Sequence, residues 1–488
     1  MIKSSQKPNS KEEVRNRIQA AASSLKQPVP HRELFEELLA QVPPINFSEV
    51  SGLEKVPYER IAVLVCEKVA ELAHKNRWQI GHRDEFYWIY NKCFWQKISE
   101  PELEYFLGKA AERTGVEVLK ARTYGYQEVL RKQFASTGYL PELPQEDSNI
   151  RINLRNGTLH IEHGKAQLRD FNPDDFLRYQ LPFSYDPQAQ APQWQKFLNE
   201  VLPDASLQKV LSEMLAYVFV PSQALKLEKC LFLYGTGSNG KSVVFEVISA
   251  LLGTENVSNF SITSLTDHTG YYRALLAGKL LNYASEIGGE MESSLFKQLV
   301  SGEPIEARLP YKEPQIIRNY AKLIFNANSL PDVPEFTHAF FRRFAIIPFE
   351  VTIPDHKQDR DLPQRIIATE LPGVLNWILE GLQRLTQQRG LSPSEKMASQ
   401  ISRFRLESNP VAVFISERID DCRLENDVNG WISVADLFQD YTCWTVENGH
   451  KKMSKRKFSE RMEGLGYSRG RNTKGTVRTF TGLHQKLI

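Results

Sequence analysis

Eight consecutive residues, Gly235-Thr236-Gly237-Ser238-Asn239-Gly240-Lys241-Ser242, match the pattern G-x-x-x-x-G-K-[ST]. Glycines at these positions let the backbone wrap closely, so that successive N–H groups and a following helix N-terminus face the β- and γ-phosphates of a nucleotide. The Lys241 ammonium would lie against those phosphates and the Ser242 hydroxyl would ligate Mg²⁺. By itself the loop implies phosphate binding and nothing finer, and a nucleoside kinase would carry it too. Hydrolysis also needs a carboxylate at the end of a neighbouring strand. The run KLLNYASEI (279–287) supplies Glu286, as base or as a further Mg²⁺ ligand. KLIFNAN (322–328) ends in Asn328, an amide suited to orienting the attacking water or the γ-phosphate. In AFFRRFAIIPF, Arg342 and Arg343 stand between apolar residues, where one could act as a finger on a neighbour's nucleotide or simply form ion pairs.

These groups need a scaffold, and the surrounding pattern supplies one. An apolar strand over Cys230 to Tyr234 leads into the loop, and a helix from Val243 to Leu252 leads out of it. Upstream, KEEVRNRIQAAASSL and PYERIAVLVCEKVAELAHKN carry apolar residues at helical spacing, with the Pro-rich QVPPINFSEVSG as a connector. EFYWIYNKCFWQKI predicts a hairpin around Asn91-Lys92, followed by a helix in PELEYFLGKAAERTG. NIRINLRNGTLHIEHGKAQLRDF predicts further hairpins at Asn156-Gly157 and His163-Gly164. The expected layout is a helical region (1–79), an α+β domain (80–190), a helical connector (191–224), the nucleotide-binding core (225–355), a helical segment (356–404) and a basic C-terminal domain (405–488).

Together, YGTGSNGKS, LLNYASE, FKQLVSGEPIEARLPYKEP, KLIFNANSLPD and FRRFAIIPF resemble, in order and spacing, the superfamily 3 helicases, in particular the helicase part of phage and plasmid primases and of poxvirus primase-helicases. RNGTLHI, LPFSYDP and PQWQKFL resemble the domain preceding that core, so the likeness covers about 80–488. The resemblance implies an α/β, AAA+-like P-loop core in a ring, hexameric by that likeness, with ATP and Mg²⁺ between subunits and single-stranded or forked DNA through the centre. By position, Glu286 matches the Walker B acid, Asn328 the sensor residue, and Arg342 or Arg343 the finger. The stretch Lys297 to Pro314 matches a pore-facing hairpin, with Lys312 as the DNA-gripping residue and Arg308 and Lys297 in support. Two departures stand out. The strand ends in Ser285-Glu286 rather than paired acids, and residues 1–80 are too short for a catalytic primase domain, so no primase activity is expected and a separate primase or polymerase would be a partner.

The chain of 488 residues is 41% hydrophobic and carries a formal net charge of +2, which suits a multidomain globular protein and leaves the charge distribution to identify partners. No run approaches the roughly 20 apolar residues needed to cross a bilayer, so a cytoplasmic protein without membrane contact is expected. The five cysteines lie far apart and form no zinc pattern. The tail is strongly basic. ISVADLFQDYTCWTVENG and SKRKFSERMEGLGYSRGRNTKGTVRTFTGL predict two helices and a hairpin, the succession of a winged helix, with Lys455 and Arg456 on the recognition helix and Arg469, Arg471 and Lys474 on the wing. Three readings remain open: a helicase replicating a phage, plasmid or other mobile element, an ATP-regulated origin-binding initiator without strand separation, and a translocase.

Overall fold

The computed structural model describes residues 29–83, 86–141, 148–162, 164–285, 291–331, 333, 335–450, 452–471 and 475–485. Glu286, Lys474 and the helix expected over 11–25 lie outside them.

Sixteen strands are found among the described residues. Two antiparallel three-stranded sheets come first: β1 (Gln79–Arg83), β2 (Phe86–Tyr90) and β3 (Trp95–Ile98), then β4 (Ile150–Leu154), β5 (Gly157–Glu162) and β6 (Lys165–Arg169). The centre is a parallel sheet built from β7 (Cys230–Tyr234), β8 (Val257–Ser258), β9 (Leu281–Ala284), β12 (Lys322–Ala327) and β13 (Phe344–Pro348). Its order is β13-β7-β12-β9-β8. A small hairpin joins β10 (Ile305–Ala307) to β11 (Gln315–Ile317), and a C-terminal sheet has the order β14 (Leu424–Ser433), β16 (Arg478–Gln485), β15 (Ser468–Arg471).

The central strands are continuous apolar runs because both sheet faces are covered, as parallel sheets require. Leu231 and Leu233 pack with Val244, Val247, Ile248 and Leu251 of the helix Lys241–Leu252. Cys230 and Phe232 face the other way, toward Phe296 of the helix Ser293–Ser301 and Phe404 of the helix Glu395–Glu407. Phe232 stacks between Phe325 and Phe344, with ring centroids 5.6 and 5.0 Å away.

The packing does not follow two of the expected boundaries. One core runs from Leu34 to Phe134, joining the helices His31–Gln41 and Tyr58–Lys75 to β1, β2 and the helices Glu100–Thr114 and Tyr124–Thr137 across position 79. Ile150, Ile152, Leu154 and Leu159 of the second sheet share the core of the central sheet, across position 190. A small sheet must cover its apolar face with whatever segment is at hand, and here the cover comes from the neighbouring stretches. Other differences are local. The Pro-rich connector contains a short helix, Phe47–Ser51, whose N-cap Asn46 accepts from Glu49 N. The first hairpin gains β1 as a third strand, and the C-terminal unit adds the helix Pro410–Asp420 and β14 to the two helices and hairpin expected there.

Candidate functional site

The loop 235–240 leaves the C-terminal end of β7, and the helix Lys241–Leu252 starts at once, two residues earlier than the apolar pattern suggests. Gly240, at φ 87°, takes the N-cap position in the left-handed region that glycine adopts without strain. Its α-carbon also passes tightly over the helix Pro192–Val201, where a Cβ would lie 2.9 Å from Phe197 and 3.0 Å from Val201. That supporting helix is itself capped from far away in sequence, by Glu370, whose carboxylate accepts from Gln193 N and Trp194 N, both at 3.1 Å. At Gly235 a Cβ would run into Phe349 O and Asn239 Nδ2.

Lys241 is buried, and its ammonium donates to Gly235 O (2.6 Å), Asn239 Oδ1 (2.9 Å) and Thr236 O (3.1 Å). Burial lowers its pKa from the ordinary lysine value. Asn239, also buried, donates to Thr236 O and to Phe349 O, which ties the loop to the end of β13. Ser242 is exposed at the second helical position. A ring of backbone with little side-chain bulk, a lysine at its centre and the N-terminus of a 12-residue helix form a donor set that fits nucleotide phosphates. Ser242 is where a metal held by those phosphates would be met.

The neighbouring strands end at nearly the same level. Ala327 of β12 pairs with Tyr234, and Gly235 N donates to Ala327 O at 3.0 Å. Asn328 follows immediately, exposed, one residue past the strand and beside the loop. β9 is shorter than expected, stopping at Ala284, with Ser285 after it. A second amide, which the sequence pattern did not single out, is inside: buried Asn326 accepts from Tyr283 Oη at 3.1 Å and donates to Lys241 O at 3.4 Å. It links β9 and β12 to the first residue of the loop's helix. The available signal was a polar residue in the middle of an otherwise apolar strand.

The arginine pair lies at the other end of the strands, just before β13. Cys230 N, at the start of β7, donates to Arg343 O at 2.8 Å, so the five residues of β7 separate the arginines from the loop. At the usual rise per residue that is roughly 16 Å, farther than an arginine side chain extends. Arg342 pairs with Glu228 at 2.6 Å, while Arg343 donates to Ala339 O (2.5 Å) and Ser301 Oγ (3.2 Å). Neither faces Lys241 within the chain.

Lys297 requires a correction. It sits on the helix Ser293–Ser301, ahead of the hairpin, and its ammonium is held by Glu335 at 2.7 Å. The hairpin itself is β10–β11, in which Ile305, Ala307 and Ile317 are buried and the tip 308–314 stands out. Tyr311 is fully exposed at φ 60°, and Lys312 beside it is exposed. Arg308 donates to Tyr271 Oη at 3.1 Å.

In the C-terminal unit, Phe414, Tyr441, Trp444, Phe458 and Phe480 make the core. Lys455 and Arg456 are exposed on the helix Lys455–Gly464, Arg456 paired with Glu460 at 2.9 Å. Arg469 pairs with Glu463 at 2.9 Å. Arg471 is exposed and lies directly opposite Arg478 across the β15–β16 pair, a like-charge arrangement that costs stability unless something anionic meets it. Arg461 of the same helix lies over the ring of Phe336, 3.9 Å from its centroid, so this unit touches the central domain.

Residues 69–203 match a family described as D5 N terminal like, and residues 233–343 match a family of unknown function, DUF5906. A protein of Acanthamoeba polyphaga mimivirus, provisionally named helicase L207/L206, is 25% identical over 352 residues, which cover 65% of this chain and 35% of that protein. The chain thus spans about a third of the length of that curated relative. Among solved structures, the A form apo structure of the NrS-1 C-terminal region covers 85% of this chain and 98% of its own, at 13% identity and a TM-score of 0.49. Another apo structure of that region gives 87%, 99%, 13% and 0.46. No helix among the described residues is long and apolar enough to cross a membrane.

Proposed function

We propose that this chain is an ATP-dependent DNA helicase of the superfamily 3 kind, working in the cytoplasm on the replication of a phage, plasmid or other mobile element. The observation that carries the reading is the split site: a phosphate-type loop with Lys241 at the C-terminal end of β7 and the Arg342-Arg343 pair at its N-terminal end. A site divided in this way is completed by a second copy, which supports a closed ring, with a hexamer as the expected size. The similarity to a protein named as a helicase supports the same reading.

In this reading Gly235 to Ser242 form a P-loop, and its N–H groups together with Lys241 hold the β- and γ-phosphates. Mg²⁺, held by Ser242 and assisted by Glu286, would neutralise charge on the phosphates. Glu286 takes the proton of the attacking water, Asn328 orients that water, and an arginine of the next copy stabilises the charge that develops. Arg308, Tyr311 and Lys312 on the hairpin grip the DNA strand in the ring. The C-terminal unit acts as a winged helix, with Lys455, Arg456, Arg469, Arg471 and Lys474 on phosphates. A separate primase or polymerase supplies synthesis.

The test is ATP hydrolysis and forked-duplex unwinding by the purified protein, with electron microscopy in the presence of an ATP analogue and DNA. Rings on DNA, DNA-stimulated hydrolysis and loss of both activities in Lys241→Ala are expected. A monomer that neither hydrolyses ATP nor separates strands would refute the proposal.

A further inference from the structure

The hairpin β10–β11 is short, with three pairs of residues, and a ladder of that length does not hold its own orientation in water. Something else must seat it, and one side chain reaches the right atoms. Arg273, on the short helix Tyr271–Ala274, is only 4% exposed. Its Nε donates to Glu306 O of β10 at 3.0 Å, while Nη1 donates to Leu265 O at 3.1 Å and Asp267 O at 2.5 Å. Asp267 Oδ1, 3.8 Å away, balances the buried charge and also accepts from Gly270 N at 3.1 Å. Two further bonds close the same seam: Arg308 N donates to Gly270 O at 3.3 Å, and Arg308 Nη2 to Tyr271 Oη at 3.1 Å.

We infer that Arg273 is the positioning residue of the hairpin: its guanidinium clamps the base of β10 to the 265–271 segment and so sets where Arg308, Tyr311 and Lys312 meet a nucleic acid strand. The residue type follows from the geometry. Three carbonyls on two separate segments converge on one buried cation, and only a planar fork with several N–H groups serves them together, whereas a lysine ammonium is a compact point charge on a flexible stem. The 265–271 segment leads through the helix Tyr271–Ala274 to β9, which pairs with β12, so the clamp sits on the stretch of chain that feeds the central sheet.

This inference rests on the hairpin being a DNA contact, and the experiment separates the two. Binding of a fluorescent oligothymidylate and of a fluorescent ATP analogue is measured for the wild type, Arg308→Ala/Lys312→Ala, Arg273→Lys and Gly270→Ala, together with melting temperature and the rate of tryptic cleavage at 308–312. In Gly270→Ala a Cβ would stand 2.9 Å from Arg273 Nη2 and displace the guanidinium, which covers the case in which Arg273→Lys does not fold. Expected are DNA binding at least tenfold weaker and faster tryptic cleavage in both Arg273→Lys and Gly270→Ala, with nucleotide affinity within twofold of wild type. DNA binding equal to wild type, or DNA and nucleotide binding falling together in step with the melting temperature, overturns the inference. If Arg308→Ala/Lys312→Ala binds DNA as the wild type does, the hairpin reading itself fails.

Discussion

Three glycines of the phosphate loop make unequal predictions, and the inequality can be worked from their surroundings. In Gly240→Ala the new methyl meets Phe197 at 2.9 Å and Val201 at 3.0 Å, on a backbone with φ 87°. Placing an L-residue in the left-handed region costs about 1–2 kcal/mol, and forcing a carbon into a packed contact costs about 1–3 kcal/mol. If the loop keeps its shape only against that total of about 2–5 kcal/mol, its binding-competent population falls, and apparent nucleotide affinity falls with it, by at least about 30-fold at the low end. Gly235→Ala should be as severe, since the obstruction there includes a backbone carbonyl, Phe349 O, that cannot move aside. Gly237→Ala should be mild, because nothing lies within 4 Å of its Cβ. The assay is titration of a fluorescent ATP analogue, with calorimetric unfolding run alongside. Equal losses at Gly237 and Gly240, or wild-type affinity in Gly240→Ala, would show that loop geometry does not govern binding.

Three further outcomes are expected. Mixing equal amounts of Lys241→Ala with Arg342→Ala/Arg343→Ala should restore ATP hydrolysis to about one quarter of wild type, because one interface in four then joins an intact loop to intact arginines; no recovery would mean that the arginines do not act across subunits. Lys322, over the Tyr217 ring at 4.2 Å, has its pKa pushed down by burial to about 8. The unfolded chain keeps that proton to higher pH than the folded one, so the penalty is full below pH 8 and fades toward pH 10.5, and Lys322→Met should raise stability at pH 7 by about 3 kcal/mol with little gain at pH 10.5, as read from urea midpoints. Finally, Lys455→Ala and Arg471→Ala should each lower the slope of log DNA affinity against log salt by about 1, while Arg456→Ala, already tied to Glu460, changes it less.

Much of the centre was legible because each element there carries its own local signature. The strand before the loop, the glycine spacing and the strand ending next to Asn328 are readable from apolar runs broken by glycine, proline or charge, whereas the hairpin within 297–314 follows only from the family resemblance. What escaped depends on partners remote in sequence. No local pattern announces that Glu370 caps a helix starting at Pro192, that Glu228 holds Arg342, or that Glu335 withdraws Lys297 from the hairpin. Asn328 stands at a strand end, where the sequence marks it, whereas Asn326 is a buried amide whose role shows only through what it touches. The domain boundaries slipped for a related reason: periodicity tells which face of a helix is buried, not which element buries it.

The lysine in the loop has a consequence for energetics. Gly235 O, Thr236 O and Asn239 Oδ1 act as a resident chelate around its ammonium, so any phosphate that arrives must compete with three oxygens already in place. The affinity gained from Lys241 is then a difference between two sets of charge-assisted bonds rather than the strength of one. On the proposed reading such an internal competitor would subtract the same amount from ground-state and transition-state binding, because the bonds given up are those of the empty loop. It also leaves the buried cation hydrogen-bonded when the loop is empty, so on the proposed reading a departing phosphate would not strand a bare charge.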